Sequence, residues 1–174
     1  MSLLDTLTPD TRAVAEEFLA RARDELGLDV RVVSTRRSCE EQAKLYAQGR
    51  TAPGKVVTNS KGCMSWHVMG RAFDVMIQGS GIGVAEWDRL GALGESMGLK
   101  WGKYFANLND TPHFEYHPGM VIEQFCQDPD ECEAGVAASM GVAYQRQAGK
   151  VPPVAYVLLF GVAAGFLAAW YTEE

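Results

Sequence analysis

Ser65-Trp66-His67-Val68-Met69-Gly70-Arg71-Ala72-Phe73-Asp74 is the stretch on which the reading of the chain turns. A His and an Asp stand seven positions apart, and the second half continues through Val75, Met76 and Ile77. A short apolar run of that kind reads as a buried strand. A carboxylate inside it is costly unless paired or bound to metal, which lifts Asp74 above an ordinary surface acid. Gly70 gives the backbone a place to turn before the strand. A second cluster, Asp110-Thr111-Pro112-His113, comes later. Pro112 disfavours helix at Thr111 and cannot donate to a central ladder, so His113 opens a strand. Alternation then puts His113, Glu115 and His117 on one face. His117 therefore competes as a ligand, but Pro118-Gly119 marks it as the strand's end, and His113 is preferred.

Two imidazoles and a carboxylate suit Zn²⁺ and leave a fourth position open for catalysis. Zinc lowers the pKa of water and polarises a carbonyl. Hydrolysis of a peptide also needs a group that takes a proton from water and hands it to the leaving amine. Asp110, three residues before His113, is placed for that role; its structural alternative is a turn-forming Asp ahead of Pro112. Arg37 stands where a helix begins and is a candidate for stabilising the developing oxyanion; its alternative is a surface cation.

The flanking sequence supplies a frame for this site. Thr8-Pro9 opens a helix, with Thr as cap and Pro in the first turn. Val14, Phe18, Leu19 and Ala22 keep helical spacing up to Leu26-Gly27. Residues 29–35 read as a strand. Ser38 caps a second helix through Glu40 and Glu41, ending near Gly49. Residues 50–62 form a polar loop with a short extended piece at 56–58. Residues 86–97 form a helix with Trp87, Leu90, Leu93 and Met97 on one face, and Leu99 to Trp101 is extended. The chain has 174 residues and a net charge of −6, so no basic patch invites nucleic acid. No basic leader with an apolar run opens it. A reducing compartment and free thiols are therefore expected for Cys39, Cys63, Cys126 and Cys132, with a Cys126–Cys132 bridge as the variant case.

The pattern S-x-H-x-x-G-x-A-x-D at 65–74, with D-x-x-H at 110–113, resembles the VanY-like family of zinc D-alanyl-D-alanine carboxypeptidases and L-alanyl-D-glutamate endopeptidases. The stretch R-S-C-E-E-Q-A-K-L-Y-A-Q-G-R at 37–50 is similar to the family's segment around its substrate-binding Arg. W-G-K-Y-F at 101–105 and H-F-E-Y-H-P-G at 113–119 are similar to its endolysin branch. The resemblance spans roughly residues 13–119. It implies a small α+β fold, an antiparallel sheet with flanking helices around a zinc site. It implies His67, Asp74 and His113 as zinc ligands, Asp110 as catalytic base and Arg37 as transition-state Arg. Arg37 and Ser65 are expected to contact substrate. Lys103 departs from the family, replacing a Gly common after the Trp-Gly pair. An Asp rather than a Glu before the last His favours cleavage between L-alanine and D-glutamate of the peptidoglycan stem peptide.

Beyond a peptidase domain at 1–125, residues 126–150 read as a linker and 151–172 as a transmembrane helix. That last run carries no charge and at about 1.5 Å per residue spans roughly 33 Å, enough for a bilayer core of about 30 Å. Tyr156, Trp170 and Tyr171 lie near its ends, as interfacial aromatics do. Arg146 and Lys150 precede it, which puts the domain on the cytoplasmic side. Gly161 and Gly165 offer a face for self-association. The expected whole is a phage endolysin held at the host inner membrane, acting on the periplasmic wall for lysis, its tail holin-like or only an anchor. A wall-trimming D-alanyl-D-alanine carboxypeptidase and a non-catalytic wall-binding module are the alternatives.

Overall fold

Alternation along one strand sorts the molecule into two faces. A computed structural model describes residues 2–106, 108–126 and 132–140. Strand β2, Ala72–Ile77, turns Phe73, Val75 and Ile77 into the main core and Asp74 and Met76 the other way. It pairs antiparallel with β1, Val30–Ser34, on one side and with β4, His113–Glu115, on the other. A short β3, Lys100–Trp101, completes a four-stranded sheet of order β1-β2-β4-β3. This is the α+β architecture with a small antiparallel sheet that the family resemblance implies.

The core face is covered by α1, Pro9–Leu26, and α3, Val84–Ser96. Phe18 of α1 packs on Phe73 and Phe114, its ring centroids 6.0 and 4.9 Å from theirs. Leu90 and Leu93 of α3 and Trp101 of β3 join them in burial. Each fully buried aromatic or aliphatic side chain contributes roughly 1.5–3 kcal/mol of burial free energy. Pro9 takes the first helical position as expected, but the Thr8 hydroxyl donates to Thr11 Oγ1 at 2.7 Å instead of capping the backbone. Gly27 closes α1 in the left-handed conformation.

Helix α2, Cys39–Ala47, begins with the expected box: Ser38 Oγ accepts from Glu41 N–H, and the Glu41 carboxylate accepts from Ser38 N–H. The extended piece expected at 56–58 forms no strand. Its segment is tethered by Gln42 instead, whose Nε2 donates to Thr58 Oγ1 and the Ser60 carbonyl.

The expectation of free thiols is corrected. Cys39 is bridged to Cys63 and Cys126 to Cys132. Spacing along the chain could not reveal the first pair, because the fold, not the sequence, brings the start of α2 to the loop before Ser65; the Cα atoms are 4.5 Å apart, within bridging range. Around the two bridges lies a second apolar cluster of Cys63, Val68, Met69, Cys126, Cys132 and Val136.

Packing continues past the expected boundary at residue 125. Helix α4, Glu133–Ser139, buries Val136 and Ser139, and the Ser139 hydroxyl donates to the Met69 carbonyl and accepts from Arg71. Within the expected linker, the described residues 132–140 are thus packed against the domain. The rest of it, and the span expected at 151–172, lie outside the described residues. Among the described residues no helix is long and apolar enough to cross a membrane.

Candidate metal centre

Three elements aim the site at the open side of the sheet. Asp74 on β2 sits directly opposite His113 on β4. His67 comes from the turn that leads into β2. There Met69 N–H donates to the Ser65 carbonyl and Arg71 N–H to that of Trp66. Gly70 closes the turn at φ +71°, a conformation that side-chain-bearing residues rarely take. His113 is held from behind: Trp101 Nε1 donates to the Thr111 carbonyl at 2.7 Å, and Val75 N–H to the Pro112 carbonyl.

His67 Nε2, Asp74 Oδ1 and His113 Nδ1 form a triangle with sides of 3.2, 3.0 and 3.1 Å. A tetrahedral ion with bonds of 2.0–2.2 Å separates its ligand atoms by about 3.3 Å. The far nitrogens decide which ring atoms face inward. His67 Nδ1 lies 2.6 Å from the Thr35 carbonyl, and His113 Nε2 lies 3.0 Å from Glu115 Oε1. Both partners can only accept, so both of those nitrogens carry hydrogen. The two inward nitrogens of neutral rings then point lone pairs at each other and at a carboxylate. Only a cation makes that arrangement favourable, and the donor set of two imidazoles and one carboxylate fits zinc.

Electrostatics agree. Burial opposes charge on His113, but hydrogen bonds to Asp74 and Glu115 outweigh it and push the ring up to about 9. Burial would raise Asp74, yet bonds from His113 and His67 hold it well below the usual carboxylate range.

The triangle forms the floor of a cleft of ≈ 440 Å³. Leu45, Val57, Thr58 and Asn59 make one wall, Phe105 and Leu108 the other. Arg37 stands at the rim, its Nη2 3.6 Å from Asp74 Oδ2. Asp110 closes the turn into His113 through its carbonyl, not its side chain, and its carboxylate lines the cleft. Burial raises its pKa and Asp74 adds to this, against His113, His67 and Arg37. Gly102 makes the placement possible: a Cβ there would sit 2.5 Å from the Asp110 carbonyl and 3.0 Å from His113 Cβ. Ser65 is buried and does not line the cleft.

A family model described as D-alanyl-D-alanine carboxypeptidase matches residues 58–116, a stretch holding His67, Asp74, Asp110 and His113 but not Arg37. The peptidoglycan L-alanyl-D-glutamate endopeptidase CwlK of Bacillus subtilis is 30% identical over 131 residues, covering 68% of this chain and 78% of CwlK. The chain belongs to the VanY-like peptidase family. Among solved structures, the L-Ala D-Glu endopeptidase ChiX of Serratia marcescens aligns with a TM-score of 0.46 and 20% identity, over 66% of this chain and 83% of that one.

In this VanY-like peptidase, several site residues escape sequence reasoning. The Thr35 carbonyl, as a backbone group, has no sequence signal. Gln42 is buried in the cleft wall, with Oε1 unpartnered; its polarity hides it among the exposed residues of α2. Glu115 and His117 do share the face of His113, but they join in a chain rather than compete for metal: His117 Nε2 lies 3.0 Å from Glu115 Oε2. Lys103, the family departure, pairs with Asp88 away from the cleft.

Proposed function

We propose that this chain is a zinc peptidase that hydrolyses the L-alanyl-D-glutamate bond of peptidoglycan stem peptides. The observation that carries the reading is the converging triangle of His67, Asp74 and His113, with the outer nitrogen of each ring held by an acceptor so that the inner one faces the triangle. These three residues would hold the metal. Zinc bound there supplies a lowered water pKa and a polarised scissile carbonyl. Asp110 takes the proton of the attacking water and delivers it to the amine of the departing D-glutamate; its raised pKa suits a group that must both accept and return a proton. Arg37 offers N–H donors to the oxyanion as the carbonyl becomes tetrahedral, and its contact with Asp74 Oδ2 keeps it beside the metal. The products are a carboxylate on L-alanine and a free amine on D-glutamate. CwlK's activity and the Asp at position 110 favour this bond over the D-alanyl-D-alanine bond.

The wider setting belongs to the same proposal. Residues 1–125 and the packed segment after them form the peptidase, and 151–172 tether it to a host inner membrane in a single pass as a phage endolysin. The domain starts on the cytoplasmic side and acts on the periplasmic wall. The two disulfides suit an oxidising site of action.

Digestion of purified peptidoglycan by the full chain, followed by mass spectrometry, tests the chemistry. New N-terminal D-glutamate, abolished by a chelator and restored by zinc, is expected. Free D-alanine instead would assign the carboxypeptidase that the matched family model describes. No product from folded, zinc-loaded protein would leave only a wall-binding module.

A further inference from the structure

The residues just outside the donor triangle form a closed chain. His113 donates from Nε2 to Glu115 Oε1, and the other oxygen of that carboxylate lies 3.0 Å from His117 Nε2. Glu115 is 7% exposed, so each of its oxygens is committed inside the protein. The His117 ring then lies flat on the indole of Trp66, centroids 4.1 Å apart and planes 7° from parallel. Trp66 is the immediate neighbour of His67. Phe125 meets the indole edge-on at 6.2 Å and seats it in the second apolar cluster. Two ligands on separate segments, 46 positions apart in sequence, are thereby joined by a route that avoids the metal.

We propose that Glu115, His117 and Trp66 act as a clamp that sets the spacing and ring orientation of His67 and His113 before metal binds, with His117 as its positioning residue. The proposal rests on the metallopeptidase reading above. Its physical content has two parts. The His117 N–H holds the Glu115 carboxylate so that Oε1 stays on His113 Nε2, which keeps Nδ1 aimed into the triangle. The stack on Trp66 holds His117 itself, and so couples the turn bearing His67 to the strand bearing His113. Partners of metal-bound His at this remove typically contribute about 10–100-fold to metal affinity.

Two substitutions separate the parts. His117→Phe keeps a flat ring on Trp66 and removes both ring nitrogens, the one at Glu115 and the one 3.3 Å from the Met120 carbonyl. His117→Gln keeps a donor and removes the ring. Zinc affinity of the full chain is measured by competition with a chromogenic chelator, and the visible spectrum of the Co²⁺-loaded protein reports ligand geometry without any turnover. The clamp predicts that His117→Phe loses about 10–100-fold in zinc affinity with a shifted Co²⁺ band, and that His117→Gln recovers part of both. Near-UV circular dichroism and thermal melts confirm that both variants fold. If His117→Phe fails to fold, Trp66→Phe, which keeps a smaller ring on His117, must show the weakened zinc binding. Affinity within about threefold of wild type in either variant would overturn the clamp, since each variant lacks one of its two parts. Failure of the wild-type chain to bind zinc tightly would instead overturn the metallopeptidase reading itself.

Discussion

At the scale of single residues, Asp110 and His113 stand three positions apart and do different work. Asp110 makes no part of the donor triangle, so Asp110→Ala removes a proton carrier without removing a ligand. The expected outcome is a loss of about 10²–10⁴ in kcat with bound zinc unchanged, checked by kinetics on a muropeptide beside metal analysis of the same sample. His113 gives a second prediction. Its ring is pushed up to about 9 in the metal-free protein, so near neutral pH it is protonated and zinc must displace that proton. Zinc affinity therefore rises by about tenfold per pH unit as pH approaches that value, then levels off. Calorimetry in buffers of different ionisation enthalpy should show about one proton released per zinc bound near neutral pH. Affinity independent of pH would show that the ring is neutral before metal arrives.

Among the elements, the legible parts of the sequence were those with local causes. The strand at Ala72–Ile77, the Ser38–Glu41 box and the end of α1 at Gly27 follow from alternation, capping and a glycine in the left-handed region. Asp74 could be singled out because a carboxylate in an apolar run is anomalous, while His67 and His113 gained weight only beside it and through the motifs they share with the family. What stayed hidden was made of contacts between distant segments. The Thr35 carbonyl behind His67, the Cys39–Cys63 bridge and the stack of His117 on Trp66 leave no periodic trace. Gly102 belongs to this hidden class. It begins the short 3-10 turn after β3, and its missing side chain lets that turn close on Asp110 and His113. Gly102→Ala should push both outward. A misplacement of about 1 Å costs about 10²-fold in rate, so kcat/KM falls that far while the melting temperature drops only modestly. Unchanged kinetics would mean that the loop yields without moving the site.

For the whole molecule, the metal centre lies between two cores of different kind. One is the aromatic layer of Phe18, Phe73 and Phe114 beneath the sheet; the other is the cluster around the disulfides. The first is held by burial on a hydrogen-bonded sheet, the second partly by covalent bonds. The Cys39–Cys63 bridge closes a loop of sequence separation 24, for which chain entropy gives about 3 kcal/mol of stabilisation. Paired Cys39→Ser and Cys63→Ser changes should lower stability by about that amount, measured by urea unfolding. That same loop carries Gln42, Leu45, Val57, Thr58, Asn59 and Ser60, all of which line the cleft, and its two ends adjoin Arg37 and the His67 turn. Opening the bridge with a reductant should therefore weaken substrate binding and zinc binding together, and leave the sheet's own aromatic core folded. A chain kept among thiols would carry a slack wall and an unsteady ligand, and oxidation would set both in one event. The expected consequence is latency: a peptidase slack while Cys39 and Cys63 are reduced, and set once they are bridged.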